Sequence, residues 1–431
     1  MCSAALVTIG CRYNQVESSE IAQALADAGF ELRSPEEAAD VYVINSCTVT
    51  AQADRRCERT LRQLRRQYPG ATLVVTGCYA EAQQPVVAAL PEVDLVVPNT
   101  EKAVLVDRIC QTLGWEPSLG RSAPRVRRAS RAFLAIQHGC DCDCAYCIVP
   151  AARGRSRSEP LERVLARLGD LAGEGYAEVV LTGVNLGRYG KDLEPRRSLA
   201  EVLRQTAAVG HRLRVRLSSL EPAEVDEALL AALPLAHICA HVHLPVQSGS
   251  DRVLRAMGRK YDRDRLGGLV ERLVKDRETM AVGADVMVGF PGETETDFQA
   301  TCRFLGQAPF AYFHVFQYSP RPGTRAAKMD DSVPGGVKAE RASQVRDLGR
   351  AKWNAFQKRH VGRRLESVIA RKLDPQTNRR LAITGNYLRP YVVDRPELVD
   401  QLVPVRITGL QEGRLLGVVE MSDTAGRRSE D

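Results

Sequence analysis

The chain has 431 residues, a formal charge of +7, and ordinary fractions of apolar (44%) and charged (26%) residues, so it reads as a folded protein of two or three domains. It lacks a run of the ~18 apolar residues a membrane span needs, and its start, MCSAALVTIGC, has no basic segment ahead of a long apolar one, so neither membrane insertion nor secretion is expected. A cytoplasmic setting follows, in which twelve cysteines point to metal or redox chemistry rather than to disulfides.

Residues 1–120 alternate strand and helix patterns. ALVTIG, VYVIN and TLVVTG are short β-rich runs ending in turn residues. Helical patterns lie near 15–28, 51–67 and 81–89. The alternation predicts an α/β domain with a parallel sheet and crossover helices. Cys11 follows VTIG, Cys47 follows VINS and Cys78 follows VVTG. Strand ends of an open parallel sheet share the edge where ligands bind, so these thiols should converge. Cysteine also packs well in cores. Cys2, Cys57, Cys110, Cys239 and Cys302 show no such regularity and read as core residues. In RRCERTLRQLRR, Arg55, Arg59, Arg62 and Arg66 recur on one helical face. That face is either simply solvated or a stripe for phosphate contact. RSAPRVRRASR, 121–131, is dense in arginine, holds a proline and reads as an exposed linker.

Residues 132–360 alternate again, through AFLAIQHG, EVVLTGVN, LRVRLSSLEP, HVHLPVQSG, ADVMVGFPG and YFHVFQYSP. PLERVLARLGDLAG and TETDFQATCRFLGQ are among the helical patterns between them. Six such units fit a partial or full βα barrel. Polar groups close its strands: Thr182 and Asn185, Ser218 to Glu221, Gln247 to Ser250, Gly289 to Glu293. Barrel active sites gather on that face. The first strand is followed by HGCDCDCAYCIVPAARG, with Cys140, Cys142, Cys144 and Cys147. Four thiolates would satisfy a structural zinc. Cys140, Cys144 and Cys147 alone, spaced C-x3-C-x2-C, would instead hold three corners of a four-iron cube and leave one iron open. Cys142, between two such ligands, is expected to point away.

Residues 361–425 change character. ESVIARKL, LAITGN, YVVD, VPVRITGL and LLGVVEM are broken by Gly, Asn and Pro, which predicts a small β-barrel of five strands. Its arginines suit either a nucleic-acid grip or a plain structural cap.

The three-cysteine spacing in a βα barrel resembles the signature of radical S-adenosylmethionine enzymes. CIVPAARG, with TIGCRYNQVES, NSCTVT and TGCYAE upstream, resembles the methylthiotransferases. HLPVQSGSDRVLRAMGRKY and DVMVGFPGET resemble that family's barrel motifs, and the C-terminal region is similar to the TRAM RNA-binding module. The resemblance covers nearly the whole chain. NSCTVTAQAD and RLSSLEP resemble the branch acting on N6-threonylcarbamoyladenosine beside the tRNA anticodon. The isopentenyladenosine branch and the ribosomal-protein aspartate branch differ at both places and remain the alternatives. The chain departs from its apparent branch at Arg12 and Tyr13, where a lysine-valine pair is commoner, and at Cys142.

The resemblance implies two [4Fe–4S] clusters and S-adenosyl-L-methionine. The cluster on Cys140, Cys144 and Cys147 would bind S-adenosylmethionine and release a 5′-deoxyadenosyl radical. The cluster on Cys11, Cys47 and Cys78 would carry the sulfur that ends, methylated, on carbon 2 of the adenine. Tyr146, Thr182, Gly183, Asn185, Gln247, Asp285 and Phe316 would contact the cofactor. Arg153, Ser219, Glu221, Arg59 and Arg62 would contact the substrate. His243 and His314 read as satisfied core residues. The implied partners are a tRNA anticodon stem-loop and a reducing electron donor such as a flavodoxin, with the protein a monomer. The competing reading from another class, a non-catalytic zinc-bearing RNA-binding protein, leaves the three strand-end cysteines unexplained.

Overall fold

The computed structural model describes residues 2–117, 130–209, 213–275, 277–330 and 333–420. Most of the basic linker and residues 421–425 of the C-terminal region lie outside the described residues.

The N-terminal strands are β1 (Ser3–Thr8), β2 (Glu31–Arg33), β3 (Val41–Ser46), β4 (Thr72–Gly77) and β5 (Leu95–Val97). They form a wholly parallel sheet in the order β2-β1-β3-β4-β5. β3 is buried along its whole length, as a central strand covered on both faces must be. α1 (Arg12–Asp27) and α2 (Ala51–Gln67) are crossover helices. α2 starts at Thr50, whose side chain accepts from the Ala53 amide at 3.2 Å, and ends on Arg65 and Arg66, which suit its negative pole.

The central strands are β6 (Ala132–His138), β7 (Arg157–Ser158), β8 (Glu178–Gly183), β9 (Arg214–Leu217), β10 (His241–Gln247), β11 (Ala281–Val288) and β12 (Tyr312–Gln317). β6-β8-β9 and β10-β11-β12 are parallel sets, joined by isolated bridges from Val215 to Ile238 and from Ser219 to His243. β7 adds an antiparallel edge beside β6. The result is an open barrel of six parallel strands, as the alternation predicts, with β6 and β12 unpaired across the gap among the described residues. Tyr13 and Val16 of α1 pack on Phe133 and Ala135 of β6 and on Val184 just past β8.

The C-terminal strands β13 (Arg364–Asp374), β14 (Arg379–Thr384), β15 (Tyr391–Val393), β16 (Leu402–Gln411) and β17 (Arg414–Val419) close into a five-stranded barrel. A long helix, Gly335–Lys358, leads into it.

One buried charge cluster ties this small barrel to the base of the large one. Glu178, the first residue of β8, is fully buried among Arg131 (3.1 Å), Arg214 (2.6 Å) and Arg216 (2.8 Å). Arg214 donates onward to the carbonyls of Glu366 (2.8 Å) and Ile383 (2.6 Å). Arg216 donates to those of Thr384 (2.8 Å) and Gly385 (3.0 Å). Burial alone would raise the Glu178 carboxyl, but its arginines hold it well below the usual range. Glu178→Gln strands two guanidiniums in the interior and should cost about 3–5 kcal/mol. Urea unfolding measures this, and an unchanged midpoint would show that the carbonyls alone satisfy them.

Candidate functional site

Because β1, β3 and β4 are neighbours and parallel, their carboxyl ends deliver Cys11, Cys47 and Cys78 to one edge, as expected from their positions. Cys47 and Cys78 are buried and Cys11 is exposed. Of the cysteines expected in cores, Cys57, Cys110 and Cys239 are buried, while Cys2 and Cys302 are only partly so. Gly10 fixes how closely Cys11 meets Cys47. Its φ of +131° suits glycine, and a Cβ there would stand 2.7 Å from the Cys47 Cβ. The Cys11 thiol donates to Asn14 Oδ1 at 3.1 Å, and Asn14 Nδ2 donates to the Ser46 carbonyl at 2.9 Å, so one buried asparagine ties two of the strand ends. Burial pushes the Cys47 thiol up to about 12 and raises Cys78 as well, so an electropositive partner is needed to hold them as thiolates.

The four-cysteine loop follows β6 and runs into a short helix, Val149–Arg153. A tetrahedral zinc about 2.3 Å from each thiolate would draw the sulfurs to about 4 Å of one another. Among the described residues no three cysteine sulfurs lie mutually within 4.8 Å. The loop is spread for a larger body, such as a cube with each thiolate on its own iron. Cys142 does not point away. Its amide donates to Cys140 Sγ (3.4 Å), Asn185 Nδ2 donates to its sulfur (3.4 Å), and its thiol hydrogen-bonds Cys140. These bonds hold its side chain beside the Cys140 sulfur.

The loop's surroundings fit an amino-acid-bearing cofactor. Asn185 is buried, and among the described residues its Oδ1 is an acceptor without a partner. Its amide donates to Gln137 Oε1 at 2.7 Å. A cleft is lined by Cys142, Cys144, Arg188, Glu221, Arg259 and Lys260, among others. Arg259 donates to Cys144 Sγ (3.3 Å), Tyr146 Oη (3.4 Å) and Glu221 (2.7 Å). Burial raises the Glu221 carboxyl, and Arg259 opposes that rise. A cation against a ligand sulfur and an orphaned acceptor nearby suit a carboxylate and an ammonium respectively.

Arg153 joins the two cysteine sites. It lies at the end of the helix after Cys147, yet its guanidinium is bonded to Glu17 of α1 at 3.0 Å and to Asn14 at 3.4 Å, and stacks on Tyr13 at 4.2 Å. Lys102 meets the same Glu17 at 2.8 Å. Burial disfavours the charge on Arg153, but the Cys78 thiol and Glu17 outweigh it and hold the guanidinium charged. The expected substrate contact is thus occupied by an interdomain ion pair.

The remaining expected residues separate. Thr182 is buried and donates to the Val180 carbonyl at 3.3 Å. Gly183 lies against Gln137. Gln247 is buried at the end of β10, with a φ of +66° in the left-handed region. Ser219 is exposed, and Arg59 and Arg62 lie on the outer face of α2, with Arg62 paired to Glu58 at 3.3 Å. Tyr312, His314 and Phe316 share the inner face of β12, because alternate strand residues do. Gly283 permits this, since a Cβ there would meet the Tyr312 ring at 2.2 Å. Phe316 is 43% exposed. Asp285 Oδ1 lies 2.9 Å from His243 Nε2 and 3.4 Å from His314 Nδ1. Burial opposes its charge, but the two imidazoles keep its carboxyl well below the usual range. His243 is buried as expected, whereas the His314 side chain is about half-exposed, so it is not a core residue. No motif marks Tyr387 in the sequence, whereas Arg259 lies inside the HLPVQSGSDRVLRAMGRKY motif without being singled out there. Asn14 and Glu17, three and six residues past Cys11 on one helix, carry the usable signal for the interdomain contact.

The chain is similar to known proteins along its length. Residues 3–98 match the family described as uncharacterized protein family UPF0004, and residues 134–305 match the radical SAM superfamily. The threonylcarbamoyladenosine tRNA methylthiotransferase MtaB of Bacillus subtilis is 35% identical over 97% of this chain and 98% of its own. That of Aquifex aeolicus is 37% identical over 89% and 95%. The tRNA-2-methylthio-N(6)-dimethylallyladenosine synthase of Frankia alni is 38% identical over 84% and 76%. In fold, the chain resembles the radical S-adenosylmethionine methyltransferase TsrM of Kitasatospora setae, with a TM-score of 0.53, 16% identity, and coverage of 74% and 77%.

Gly10→Ala should force Cys11 and Cys47 apart and lower the iron bound on anaerobic reconstitution by about half, if each triad holds one cube. Gly70→Ala, where a Cβ meets nothing within 4 Å, is the control and should bind iron as the parent does.

Proposed function

Because the chain belongs to the radical S-adenosylmethionine methylthiotransferase family, we propose that it adds a methylthio group to carbon 2 of N6-threonylcarbamoyladenosine beside the anticodon of tRNA, with a four-iron cluster on each cysteine triad. The observation that carries this reading is the Arg153–Glu17 bridge, which couples the loop of one triad to the strand ends of the other. The relatives that match nearly end to end carry this substrate in their names.

When bound, the two clusters and S-adenosylmethionine supply the one-electron chemistry and the sulfur. The chain's residues do the rest. Asn185 Oδ1 would accept from the cofactor's ammonium, and Arg259, shared with Glu221, would lie toward its carboxylate. Phe316 offers an exposed ring against which the cofactor's adenine would stack. Tyr13 and Val16 hold α1 against β6. Arg59 on α2 and the arginines of the C-terminal barrel hold the stem-loop by its phosphates. In this reading residues 1–120, 132–360 and 361–425 act as auxiliary-cluster, radical and RNA-gripping units, fed by an external one-electron donor.

The direct test is to incubate reconstituted protein, S-adenosylmethionine and reductant with anticodon stem-loops carrying threonylcarbamoyladenosine or isopentenyladenosine, and to follow nucleoside mass. Methylthio addition to the first alone is expected, and addition to the second alone would replace the substrate assignment. Arg59→Ala combined with Arg62→Ala should weaken stem-loop binding and flatten the slope of log affinity against log salt by about two. An unchanged slope would place the RNA elsewhere.

A further inference from the structure

Among the described residues, Arg12 is a half-buried cation that has no carboxylate partner. Its neighbours are paired: Arg131, Arg214 and Arg216 share Glu178, Arg153 pairs with Glu17, and Arg259 pairs with Glu221. Arg12 is the first residue of α1, directly after Cys11, and its Nη2 donates to Tyr387 Oη at 2.9 Å. Among the described residues no carboxylate lies within ion-pair distance of it. Its guanidinium also stands 5.3 Å from the centre of the Tyr387 ring.

Tyr387 is itself an unusual anchor. It comes from the C-terminal barrel, its φ is +69°, and Arg131, Arg216 and Arg389 stand 5.6, 4.7 and 4.9 Å from the centre of its ring. Its ring stacks on His241 at 4.8 Å. From there a polar wall climbs the interior: His241 to Tyr312 Oη (2.8 Å), Tyr312 to His243 (3.1 Å), and His243 to Asp285 and the half-exposed His314. The Nδ1 of His241 is buried and, among the described residues, has no partner. Asp285, the carboxylate of this wall, is already held between two imidazoles.

We propose that Arg12, with Tyr387 behind it and His314 on the adjoining wall, forms a subsite for the carboxylate of the substrate's N6 side chain. This rests on the substrate reading given above. Carbon 2 and the N6 side chain belong to the same six-membered ring of the purine, with one nitrogen between their ring positions. A base that presents carbon 2 to the sulfur near Cys11 therefore carries its N6 side chain close to the residue after Cys11. The threonylcarbamoyl group ends in a carboxylate, which a guanidinium and an imidazole recognise by charge-assisted hydrogen bonds. An isopentenyl group offers Arg12 no charged acceptor, so the subsite favours the acid over it.

The experiment compares two stem-loops, one with threonylcarbamoyladenosine and one with its threonine carboxylate converted to the carboxamide. Each is presented to reconstituted protein with S-adenosylmethionine, and both dissociation constant and methylthio product are read. The parent should favour the acid by roughly tenfold or more, the worth of one charge-assisted bond. Arg12→Gln should bring that ratio near one, and Arg12→Lys should restore part of it. Tyr387→Phe, which keeps the cation but removes its anchor, should lower the ratio less than Arg12→Gln does. A parent that treats acid and amide alike overturns the subsite, as does a folded Arg12→Gln that keeps the parental ratio. In both cases conversion of threonylcarbamoyladenosine leaves the substrate reading standing. A parent that modifies only isopentenyladenosine removes both.

Discussion

The buried contact between Arg153 and Glu17 is the constraint on which the rest of the site depends. A carboxylate and a guanidinium taken out of water hold together only if their geometry is good and their remaining groups are satisfied. Here Arg153 also reaches Asn14 and the face of Tyr13, while Lys102 takes the second claim on Glu17. The pair is therefore part of a junction between the strand ends of the N-terminal sheet and the loop after Cys147. Its position sets the spacing between the two thiol triads. Because both partners are charged and buried, the junction resists sliding far more than an apolar contact of equal area would, which is what a reaction passing between two metal sites needs.

The same device appears at the opposite end of the barrel, where Glu178 gathers three arginines and hands two of them to backbone carbonyls of the C-terminal barrel. Together the two junctions hold an incomplete barrel between two other bodies. Among the described residues β6 and β12 are not paired with one another, and α1 packs on β6. Burial opposes ionisation of Tyr387, but the fields of Arg12, Arg131, Arg389 and Arg216 outweigh it and bring its hydroxyl down to about 8. The interior thus has a positive floor. Its upper wall, from His241 to His314, is served by Asp285.

The parts legible in the sequence are those in which local pattern and tertiary role coincide. β3 and β4 are nearly continuous apolar runs because both faces of the sheet are covered, and α2 shows its cap and its polar face in plain residues. The cysteine triads are visible because strand ends in a parallel sheet share an edge. The long helix Gly335–Lys358 is not. It opens on two glycines and carries no sustained apolar stripe, its buried residues including Lys338, Arg341 and Gln357, so its packing shows only in three dimensions. The strands β2 and β5, of three residues each, are too short to carry a pattern. The role of Arg153 is hidden because an arginine after a metal loop looks available until the acid that holds it, from a helix 136 residues away, is in place.

Cys142 shows how a fourth thiol need not become a fourth ligand. Its amide and its thiol both donate to the Cys140 sulfur. Donors directed at a sulfur favour its thiolate, and the same bond keeps the proton on the giver. Cys140 is accordingly lowered from the ordinary thiol value by the Cys142 hydrogen bond, while Cys142 is raised by donating it. Of two thiols separated by one residue, the first accepts the hydrogen bond and the second gives it. Asn185 donates to Cys142 from outside the loop, at 3.4 Å. The spacing that makes this segment look like a zinc site is thus compatible with a three-thiolate one, because the protons are distributed by hydrogen bonds and not by spacing alone.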